Sequence, residues 1–564
     1  MDAKKLGSHS RPSLCHGTVA RRLPSKIKPG HSSEVRWTAV VIAVGVMAAL
    51  LLTVLFGVRW TPSSDAGTWV SASVRAVLNA GSQQGAGPLA TVPDPRDRLL
   101  GGLLSPDFDD SSCLSRYRVA LYRRTSLHAL SPHLVSALRR YESLHRLCAP
   151  GAPAYARAVE RLRAPPNASA PSSGCSYVVW TPTAGLGNRI LSITSAFLYA
   201  LLTDRVLLLH SSGDDLDDLF CEPFPGSTWI LPQKDFAIRE RFTIDTRESL
   251  GNTLSRGEAP GGAPWLYVHL LHNYKAHDRL FFCDDVQSEL PRVPWLVFQA
   301  DNYFAPGLFL IRRHERELAR MFPRRDAVFH HLGRYLFHPS NTVWGMVTRY
   351  HDSYFAKADE RVGIQVRKFK WAPISTDELY GQILSCAHRE NILPGVGVRA
   401  ANATTGGSDG QPEKRKAVVF VSLYSEYSEK LRDLYHEHGA AGGEAVSVFQ
   451  PTHLGAQHFG DRQQNQKALA EMVLLSFSDV AVTTAVSTFG YVGQGLAGLR
   501  PWVLMRPAHG KAPDTPCRLA PTIEPCFHAP PNYDCRAKAK SDTGRMVRHI
   551  RHCEDFPQGV QLVE

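Results

Sequence analysis

The sequence predicts an α/β protein in which two Rossmann-like halves, each a parallel sheet wound with helices, face a cleft. Short β-branched runs alternate with helical patterns from Arg361 to Met505, an order typical of a doubly wound sheet. A second strand–helix–strand pattern surrounds Gly185 and opens a similar unit earlier in the chain. An uncharged apolar stretch, Trp37–Val58, precedes both units and predicts a single N-terminal transmembrane helix.

The N-terminal region predicts both the membrane anchor and its orientation. The stretch Trp37–Val58 is long enough to cross a hydrocarbon layer of roughly 30 Å. The residues before it are rich in Lys and Arg, and this positive bias keeps them cytosolic. The apolar run is too long, and begins too late, for a cleaved signal peptide. We therefore predict a single-pass type II protein of the Golgi membrane with a lumenal catalytic part: a tail at 1–36, the anchor at 37–58 and a Ser-, Gly- and Pro-rich stem at 59–97.

Charge and cysteine content limit the function classes. The formal net charge is +12, and about half of it lies in the cytosolic tail. The lumenal part is therefore only mildly basic, which argues against a nucleic-acid partner and is compatible with an anionic nucleotide-sugar. An even number of cysteines beyond the membrane predicts disulfides rather than a metal site, because no Cys-x-x-Cys pair occurs among the last four. Two sequons, at Asn167 and Asn402, predict lumenal glycosylation.

The first unit carries a glycine turn. A strand at Ser176–Trp180 leads through Gly185-Leu186-Gly187-Asn188-Arg189 into an amphipathic helix, and Arg205–Leu209 forms the next strand. The two glycines allow the backbone to approach a ligand closely. Asn188 and Arg189 can bind polar or anionic sugar groups. The same spacing also occurs in plain turns before helices, so that alternative stays open.

The second unit, Asn465–Met505, has the layout of a nucleotide-binding half. A helical pattern is followed by a strand at Val480–Thr484, a hydroxyl-rich turn at Ser487–Gly490, a helix that begins near Tyr491 and a strand at Pro501–Met505. In such a unit the helix after the turn points unpaired N–H groups at a phosphate. An ordinary α/β core with a capped helix would show the same pattern.

Arg367 ends a predicted strand, Arg361–Arg367, and is followed by the basic residues Lys368 and Lys370. A guanidinium that faces a helix N-terminus suits a diphosphate leaving group, because its charge-assisted hydrogen bonds strengthen as negative charge develops. The alternative is a surface arginine at a strand end.

Transfer to an acceptor hydroxyl needs a general base that takes its proton, and the candidates are carboxylates and histidines in loops. Asp301 directly follows an apolar strand, where a carboxylate can reach a cleft, although an Asp at this position is also typical of a turn or cap. The histidines that remain open as candidates are His272, His277, His330, His331, His338 and His453.

Asp215 and Asp217 form an Asp-x-Asp pattern of the kind that holds Mn²⁺ or Mg²⁺ on nucleotide-sugars. Such a short pattern is also common in acidic loops.

Long segments of the chain resemble the plant Golgi fucosyltransferase family that includes the xyloglucan galactoside 2-alpha-L-fucosyltransferases. The resemblance extends from about Leu99 to Val563 and rests on runs in the family's order. The runs are SCLSRY, GLGNRILSITSAFLYALLTDRVLLL, DLFCEPFP, HDRLFFCDD, ADNYFAPGLFL, VFHHLGRYLFHPSN, KADERVGIQVR, SLYSEYSEKLRDLY, NQKALAEM, STFGYVGQGLAGLRPW, EPCFHAPPNYDC and IRHCED.

The resemblance implies a GT-B-like fold, GDP-β-L-fucose as donor, inversion to an α-linked product and no required metal or other cofactor. It implies an acceptor-side half at 98–355 and a GDP-fucose-binding half at 356–564 with a cysteine-rich end. It places Arg367 on the diphosphate, Gly185, Gly187, Asn188 and Arg189 in the facing cleft loop, and Asp301 as the carboxylate that assists the acceptor hydroxyl. The donor turn is implied at Ser487, Thr488, Phe489, Gly490 and Tyr491.

Several alternatives stay open within this resemblance. Fucose transfer to the galactose of xyloglucan is the leading function, with arabinogalactan arabinose as the second acceptor. A weakly active Golgi protein that binds glycan or scaffolds other transferases is the alternative of a different class, and a metal-dependent transferase is a third. Assembly into a homodimer or into a complex with other transferases also stays open. Val486, where we expect Trp in the family, and the basic segment KFKWAP after Arg367 depart from the family pattern.

Overall fold

The structure is a computed structural model that describes residues 97–164, 174–211, 216–236, 238, 242–397, 414–458 and 460–564. They belong to one compact unit, Val92–Glu564. Within these ranges no helix combines the length and the apolar character needed to span a bilayer. The predicted anchor at 37–58 and the sequons at Asn167 and Asn402 lie outside the described residues.

Helices and strands alternate along the described part of the chain, as the sequence predicts. The helices are α1 Leu114–Arg118, α2 Pro132–Cys148, α3 Pro153–Arg163, α4 Leu186–Leu202, α5 Leu216–Leu219, α6 Leu250–Ser255, α7 Asp284–Glu289, α8 Ala305–Leu308, α9 Arg312–Met321, α10 Val328–Leu336, α11 Asn341–Tyr354, α12 Thr376–Arg389, α13 Glu426–His438, α14 Arg462–Leu475 and α15 Thr488–Ala497. The strands are β1 Tyr177–Thr181, β2 Val206–Leu209, β3 Trp265–Leu270, β4 Trp295–Ala300, β5 Glu360–Val366, β6 Arg415–Ser422, β7 Ala445–Phe449, β8 Val480–Thr484, β9 Trp502–Leu504, β10 Cys517–Leu519, β11 Tyr533–Asp534, β12 Ala539–Lys540, β13 Ile550–His552 and β14 Val560–Leu562.

The first sheet is parallel and has the strand order β2-β1-β4-β3. Its strands are apolar on both faces, as expected for a parallel sheet covered by helices on each side. In β1, Val178 and Trp180 face one hydrophobic core and Tyr177 and Val179 face another.

The second sheet has the order β10-β9-β8-β5-β6-β7, with all neighbours parallel except the edge pair β9–β10. In β6, Val418 and Phe420 face one core, whereas Val419 and Val421 face the core that also covers the first sheet. One continuous core therefore joins a face of each sheet. Helices α4, α14 and α15 contribute to it, and they bring the strand ends of both sheets to one cleft.

Five disulfides join ten cysteines, which confirms the prediction that the cysteines after the anchor are paired. Cys283–Cys535 ties the C-terminal segment to the first half of the chain. The segment also packs there through Glu524, whose carboxylate accepts hydrogen bonds from Tyr303 Oη at 2.6 Å and Phe329 N at 2.7 Å. The C-terminal residues also pack against the second half, since β10 belongs to its sheet and Cys517 is joined to Cys386.

Most predicted elements agree with the structure to within two residues. The strand at Val480–Thr484 has the predicted bounds. The helix expected near Tyr491 begins three residues earlier, at Thr488, because Ser487 already occupies the N-cap position. The short helix α1 is followed by a single 3₁₀ turn, Val119–Leu121.

Candidate functional site

The strand ends of the two sheets surround a cavity of about 400 Å³. Its walls come from the loop that starts α4, the end of β5, the loop after β7, helix α14 and the N-terminus of α15. The lining includes Gly185, Gly187, Asn188, Arg189, Arg367, Gln457, Glu471, Ser487, Thr488, Phe489 and His528. The predicted cleft loop, Arg367 and the first three residues of the predicted donor turn therefore meet in one place.

The cleft loop brings the backbone of α4 against the backbone of α15. A Cβ atom at Gly187 would lie 2.8 Å from Thr488 Oγ1 and 2.9 Å from the Thr488 carbonyl carbon. Only a residue without a side chain allows this approach. The preceding Ala184 has a left-handed φ of 58°, and its carbonyl accepts a hydrogen bond of 3.0 Å from Arg189 Nε. That bond holds the arginine within its own turn.

Asn188 connects the two halves across the cavity. Its amide nitrogen donates to the Asp301 carbonyl at 2.8 Å, and its amide oxygen accepts from Thr488 Oγ1 at 2.9 Å. The end of β4 and the start of α15 are thus fixed to one side chain.

The start of α15 presents backbone N–H groups to the cavity. Ser487 is the N-cap residue, but no side chain caps the helix. Uncapped N–H groups and the helix dipole favour an anion at this position. Val486 just before it has a φ of 65°, which is strained for a β-branched residue. Its N–H group donates to Asp555 Oδ2 at 2.8 Å, and this bond holds the strained turn.

The last two residues of the predicted donor turn lie behind the cavity wall. Gly490 packs against Gln365 and Thr483, where a Cβ atom would approach them to 3.0 Å. The Tyr491 hydroxyl donates to Asp555 at 2.5 Å and lies 3.2 Å from His528 Nε2. These residues support the turn and do not line the cavity.

Arg367 lies directly after β5 and lines the cavity. Its N–H group donates to Thr484 Oγ1 at 3.0 Å, which fixes the backbone, and Nη2 donates to Gln457 Oε1 at 2.9 Å. Among the described residues no carboxylate forms an ion pair with it. Burial lowers the pKa of its guanidinium, yet arginine stays charged at neutral pH. The site therefore holds an uncompensated cation beside a helix N-terminus, which is an arrangement for a phosphate group.

Asp301 follows β4 and pairs with His272; neither residue lines the cavity, but Asn188, which does line it, donates to the Asp301 carbonyl. Its carboxylate accepts from His272 N at 3.0 Å and contacts His272 Nδ1 at 2.5 Å. The Asp301 side chain is 13% exposed and the His272 side chain 75% exposed. The pair is open to a solvent-borne hydroxyl, and a carboxylate that orients an imidazole is suited to accept a proton.

His528 lines the cavity and was not singled out from the sequence. Burial lowers its pKa, and the charges of Asp555 and Asp301 oppose that shift. Its ring is therefore neutral at neutral pH and can accept a hydrogen bond. It comes from the C-terminal segment, and a lone histidine before Ala-Pro-Pro carries no sequence pattern that would indicate a site.

Glu471 is the second lining residue that sequence reasoning missed. It is buried on α14, and burial raises the pKa of its carboxyl to about 8. Thr452 Oγ1 donates to its Oε1 at 2.6 Å, which partly satisfies the group. Its helix position gives no sign of this role, because the residue lies among apolar core positions.

The positions of Asp215 and Asp217 do not support the alternative that they hold a metal ion. Asp215 lies outside the described residues, Asp217 is in the short helix α5, and Asp218 pairs with Arg462 at 2.5 Å. In the described ranges the one cluster of metal-type ligand atoms is Cys526, Cys553 and Asp555. Those two cysteines are joined in a disulfide and offer no thiolate.

Most of the other candidate histidines are structural. His330, His331 and His338 are buried, and burial lowers the pKa of each ring. They do not line the cavity, and His277 and His453 do not line it either.

A family model described as xyloglucan fucosyltransferase matches residues 73–536 of this chain. The chain is 46% identical over 532 residues to a galactoside 2-alpha-L-fucosyltransferase of Pisum sativum, covering 93% of this chain and 92% of that protein. It is 48% identical over 476 residues to a galactoside 2-alpha-L-fucosyltransferase of Arabidopsis thaliana, covering 83% of each.

Among solved structures, the chain resembles a mutant of Arabidopsis thaliana FUT1 in complex with GDP. The TM-score is 0.76 at 46% sequence identity, and the match covers 83% of this chain and all of that chain.

Proposed function

This chain belongs to the xyloglucan fucosyltransferase family, and from that premise we propose that it moves L-fucose from GDP-fucose to a galactose hydroxyl of a plant cell-wall glycan. It is a GDP-fucose-dependent glycosyltransferase with an α/β fold built on two mainly parallel sheets. The acceptor is proposed to be the galactose of xyloglucan, with an α-1,2 linkage formed by inversion. The GT-B-like division into an acceptor half and a donor half belongs to the same proposal.

The observation that carries the proposal is the position of Arg367 beside the uncapped start of α15. Both are positive, and no described carboxylate neutralises the arginine. A GDP diphosphate carries the complementary charge. As the bond between the fucose and the phosphate breaks, negative charge grows on the diphosphate, and these fixed groups stabilise it.

Asp301 is the proposed acceptor-side group. In an inverting transfer the acceptor hydroxyl attacks the sugar from the face opposite the leaving group and loses a proton. Asn188 bonds to Asp301 on one side and to the start of α15 on the other, and this arrangement supports an acceptor hydroxyl and a leaving group on different sides of Asn188. A loose transition state with oxocarbenium character requires only a weak base.

Glu471 is the group that best fits the guanine base. Guanine carries an N1–H and an exocyclic amino group on one edge, and a carboxylate accepts both. Glu471 is buried in the cavity wall, accepts a hydrogen bond from Thr452 Oγ1 and has a carboxyl pKa raised to about 8, so a ligand with two N–H donors would stabilise its ionised form.

We extend the proposal to conditions and location. Transfer is proposed to need no metal, since the positive groups that face the diphosphate are Arg367 and a helix N-terminus. Full turnover in EDTA is expected, and loss of turnover in EDTA would favour the metal-dependent alternative with Asp215 and Asp217. The chain is proposed to be a type II protein of the Golgi membrane because of the basic tail and the apolar stretch at 37–58.

The experiment that tests the function uses the full chain in detergent with GDP-fucose and, separately, fucose-free xyloglucan or arabinogalactan. A gain of one deoxyhexose on xyloglucan galactose, with α-1,2 linkage in the product, is the expected result. Transfer only to arabinogalactan arabinose would mean that the chain is a fucosyltransferase with arabinogalactan as its acceptor. Absence of both transfer and GDP-fucose binding in a folded sample would favour a scaffold, to which the strained Val486 beside the donor turn lends some support.

A further inference from the structure

His528 lines the donor cavity, and none of the roles described above uses it. It enters from the C-terminal segment, and its Nε2 lies 3.2 Å from the Tyr491 hydroxyl. Its other ring nitrogen, Nδ1, forms no hydrogen bond with any residue in the described ranges. Nδ1 is therefore the atom of this ring that can bind a ligand in the cavity.

The hydrogen bonds of Tyr491 determine which ring nitrogen carries the proton. The Tyr491 hydroxyl donates its one hydrogen atom to Asp555 Oδ2 at 2.5 Å. It has no second hydrogen to donate, so in the contact with His528 the Nε2–H group is the donor and the hydroxyl oxygen is the acceptor. Burial lowers the pKa of the ring and favours its neutral form. A neutral imidazole with its proton on Nε2 presents Nδ1 as a hydrogen-bond acceptor.

Two aromatic contacts and a shared carboxylate hold the ring in this orientation. The Phe556 ring packs edge-on against the imidazole with centroids 5.1 Å apart, and the centroid of the Tyr491 ring lies at 5.7 Å. Asp555, which accepts from the Tyr491 hydroxyl, also accepts from the Val486 N–H group at 2.8 Å. The acceptor nitrogen is thus fixed relative to the turn that starts α15.

The place of His528 in the cavity indicates which part of the donor it meets. The diphosphate is proposed to lie at Arg367 and the start of α15, and the guanine base at Glu471. The charge of Asp301, on the acceptor side, acts on the His528 ring. The ring therefore lies near both the diphosphate site and Asp301, which is where the fucosyl group is transferred. Diphosphate oxygens only accept hydrogen bonds, whereas the hydroxyl groups of a fucosyl ring can donate to Nδ1.

We propose that His528 binds the transferred sugar, with Nδ1 accepting a hydrogen bond from a hydroxyl group of the fucosyl ring. This assignment rests on the proposed function, because it names a contact that selects the sugar of that donor. Tyr491 and Asp555 are positioning residues, since they keep the proton on Nε2 and away from the sugar. A site built to bond a sugar hydroxyl rejects a sugar that lacks it, because the acceptor atom is then left unpaired.

The test compares the affinities for GDP and for GDP-fucose by calorimetric titration of the full chain in detergent, without acceptor. His528→Ala is expected to weaken GDP-fucose binding about tenfold and to leave GDP binding unchanged, because the lost hydrogen bond goes to the sugar. In His528→Asn an amide oxygen can occupy the position of Nδ1, so this variant is expected to recover part of the affinity for GDP-fucose. Unchanged GDP binding also verifies that each variant is folded.

Donor analogues locate the bond within the sugar. In a series in which one fucosyl hydroxyl at a time is replaced by hydrogen, one analogue is expected to bind wild-type protein about tenfold more weakly than GDP-fucose does. The same analogue should bind His528→Ala as tightly as GDP-fucose does, because the two changes remove the same hydrogen bond. His552→Ala is the matched control, since His552 lies in the same C-terminal segment but does not line the donor cavity. It should bind both ligands like wild type.

Equal losses of GDP and GDP-fucose affinity in His528→Ala would overturn the inference and assign the contact to the nucleotide. Lower turnover with unchanged GDP-fucose affinity would also overturn it, because His528 would then act on the acceptor. A series in which no fucosyl hydroxyl is coupled to His528 would do the same. The proposed function fails separately, if the wild-type protein binds no GDP-fucose and transfers no fucose.

Discussion

The side chains of Asn188 and Thr488, 300 residues apart, form a hydrogen bond of 2.9 Å across the cavity. Asn188 also donates to the Asp301 carbonyl, so the acceptor-side carboxylate and the donor-side helix have one common support. A shift of either half changes the distance between the groups that we propose to act on the acceptor and on the leaving diphosphate. Fixed separation of this kind supplies orientation, which is a large part of catalysis by transferases.

Gly187→Ala tests the close approach of α4 and α15. A methyl group would meet the Thr488 backbone at 2.9 Å, so the start of α15 has to move. We expect turnover to fall at least tenfold and GDP affinity to fall with it, because a misplacement of about 1 Å can cost ~100-fold in rate. Initial rates with GDP-fucose and calorimetric GDP titration measure both effects.

Gly345→Ala is the matched control, since Gly345 lies in helix α11 and a Cβ atom there meets nothing within 4 Å. It should keep wild-type turnover and gain stability. Wild-type turnover in Gly187→Ala would mean that the contact between the two halves has no functional role.

Asp301→Asn is expected to lower turnover about 100-fold while changing GDP affinity little, because the carboxylate faces the acceptor side and Asn188 binds only its backbone carbonyl. Asp352→Asn is the control, since Asp352 forms a comparable contact with His351 at 3.0 Å on an exposed surface. Separate measurements of kcat and of GDP affinity distinguish the roles. A loss confined to GDP affinity would make Asp301 a donor-site residue.

Glu524→Gln tests how the buried C-terminal carboxyl affects stability. Burial raises the pKa of Glu524 from 4.5 to about 8, so the folded protein retains the proton that the unfolded chain releases. Because the pKa is higher in the folded protein, the stability that this proton contributes is fully present below pH 4.5. It is lost as the pH rises through the folded pKa of about 8. Gln cannot ionise, so Glu524→Gln removes this pH-dependent loss of folding stability. The loss is at most about 5 kcal/mol.

Thermal unfolding of both proteins from pH 5 to pH 8 measures this effect. The variant should match wild type at pH 5 and become more stable than wild type toward pH 8. Glu429→Gln, at an exposed position, should follow the wild-type curve throughout. Parallel curves for Glu524→Gln and wild type would show that Glu524 does not retain its proton.

The sequence predicts the strands and helices well because the apolar periods are clear. Val480–Thr484 is an uninterrupted β-rich run, and the strand has the predicted bounds. The cleft loop and Arg367 were identifiable because a glycine turn and a strand-end arginine are local patterns with a chemical meaning. Long runs of family residues then supported the fold as a whole.

The residues that escaped prediction depend on long-range packing. His528 reaches the cavity, and Asp555 reaches the turn at Val486, only because the C-terminal segment folds back, fixed in part by Cys283–Cys535. Glu471 lies between apolar positions of α14, and its contact with the cavity follows only from the packing of that helix. Gly490 and Tyr491 were predicted to bind the donor but do not line the cavity. Only the first residues of that turn, Ser487 to Phe489, face the cavity.

The central claim is that Arg367 stabilises the leaving diphosphate, and Arg367→Ala tests it most directly. The variant is compared with Arg518→Ala, which removes an exposed arginine paired with Glu554. Fucose transfer from GDP-fucose is measured for both, with thermal unfolding to verify folding. We expect Arg367→Ala to lose ~100- to 1000-fold in kcat with an unchanged unfolding temperature, and Arg518→Ala to match wild type. Near-normal transfer by a folded Arg367→Ala protein would contradict the account.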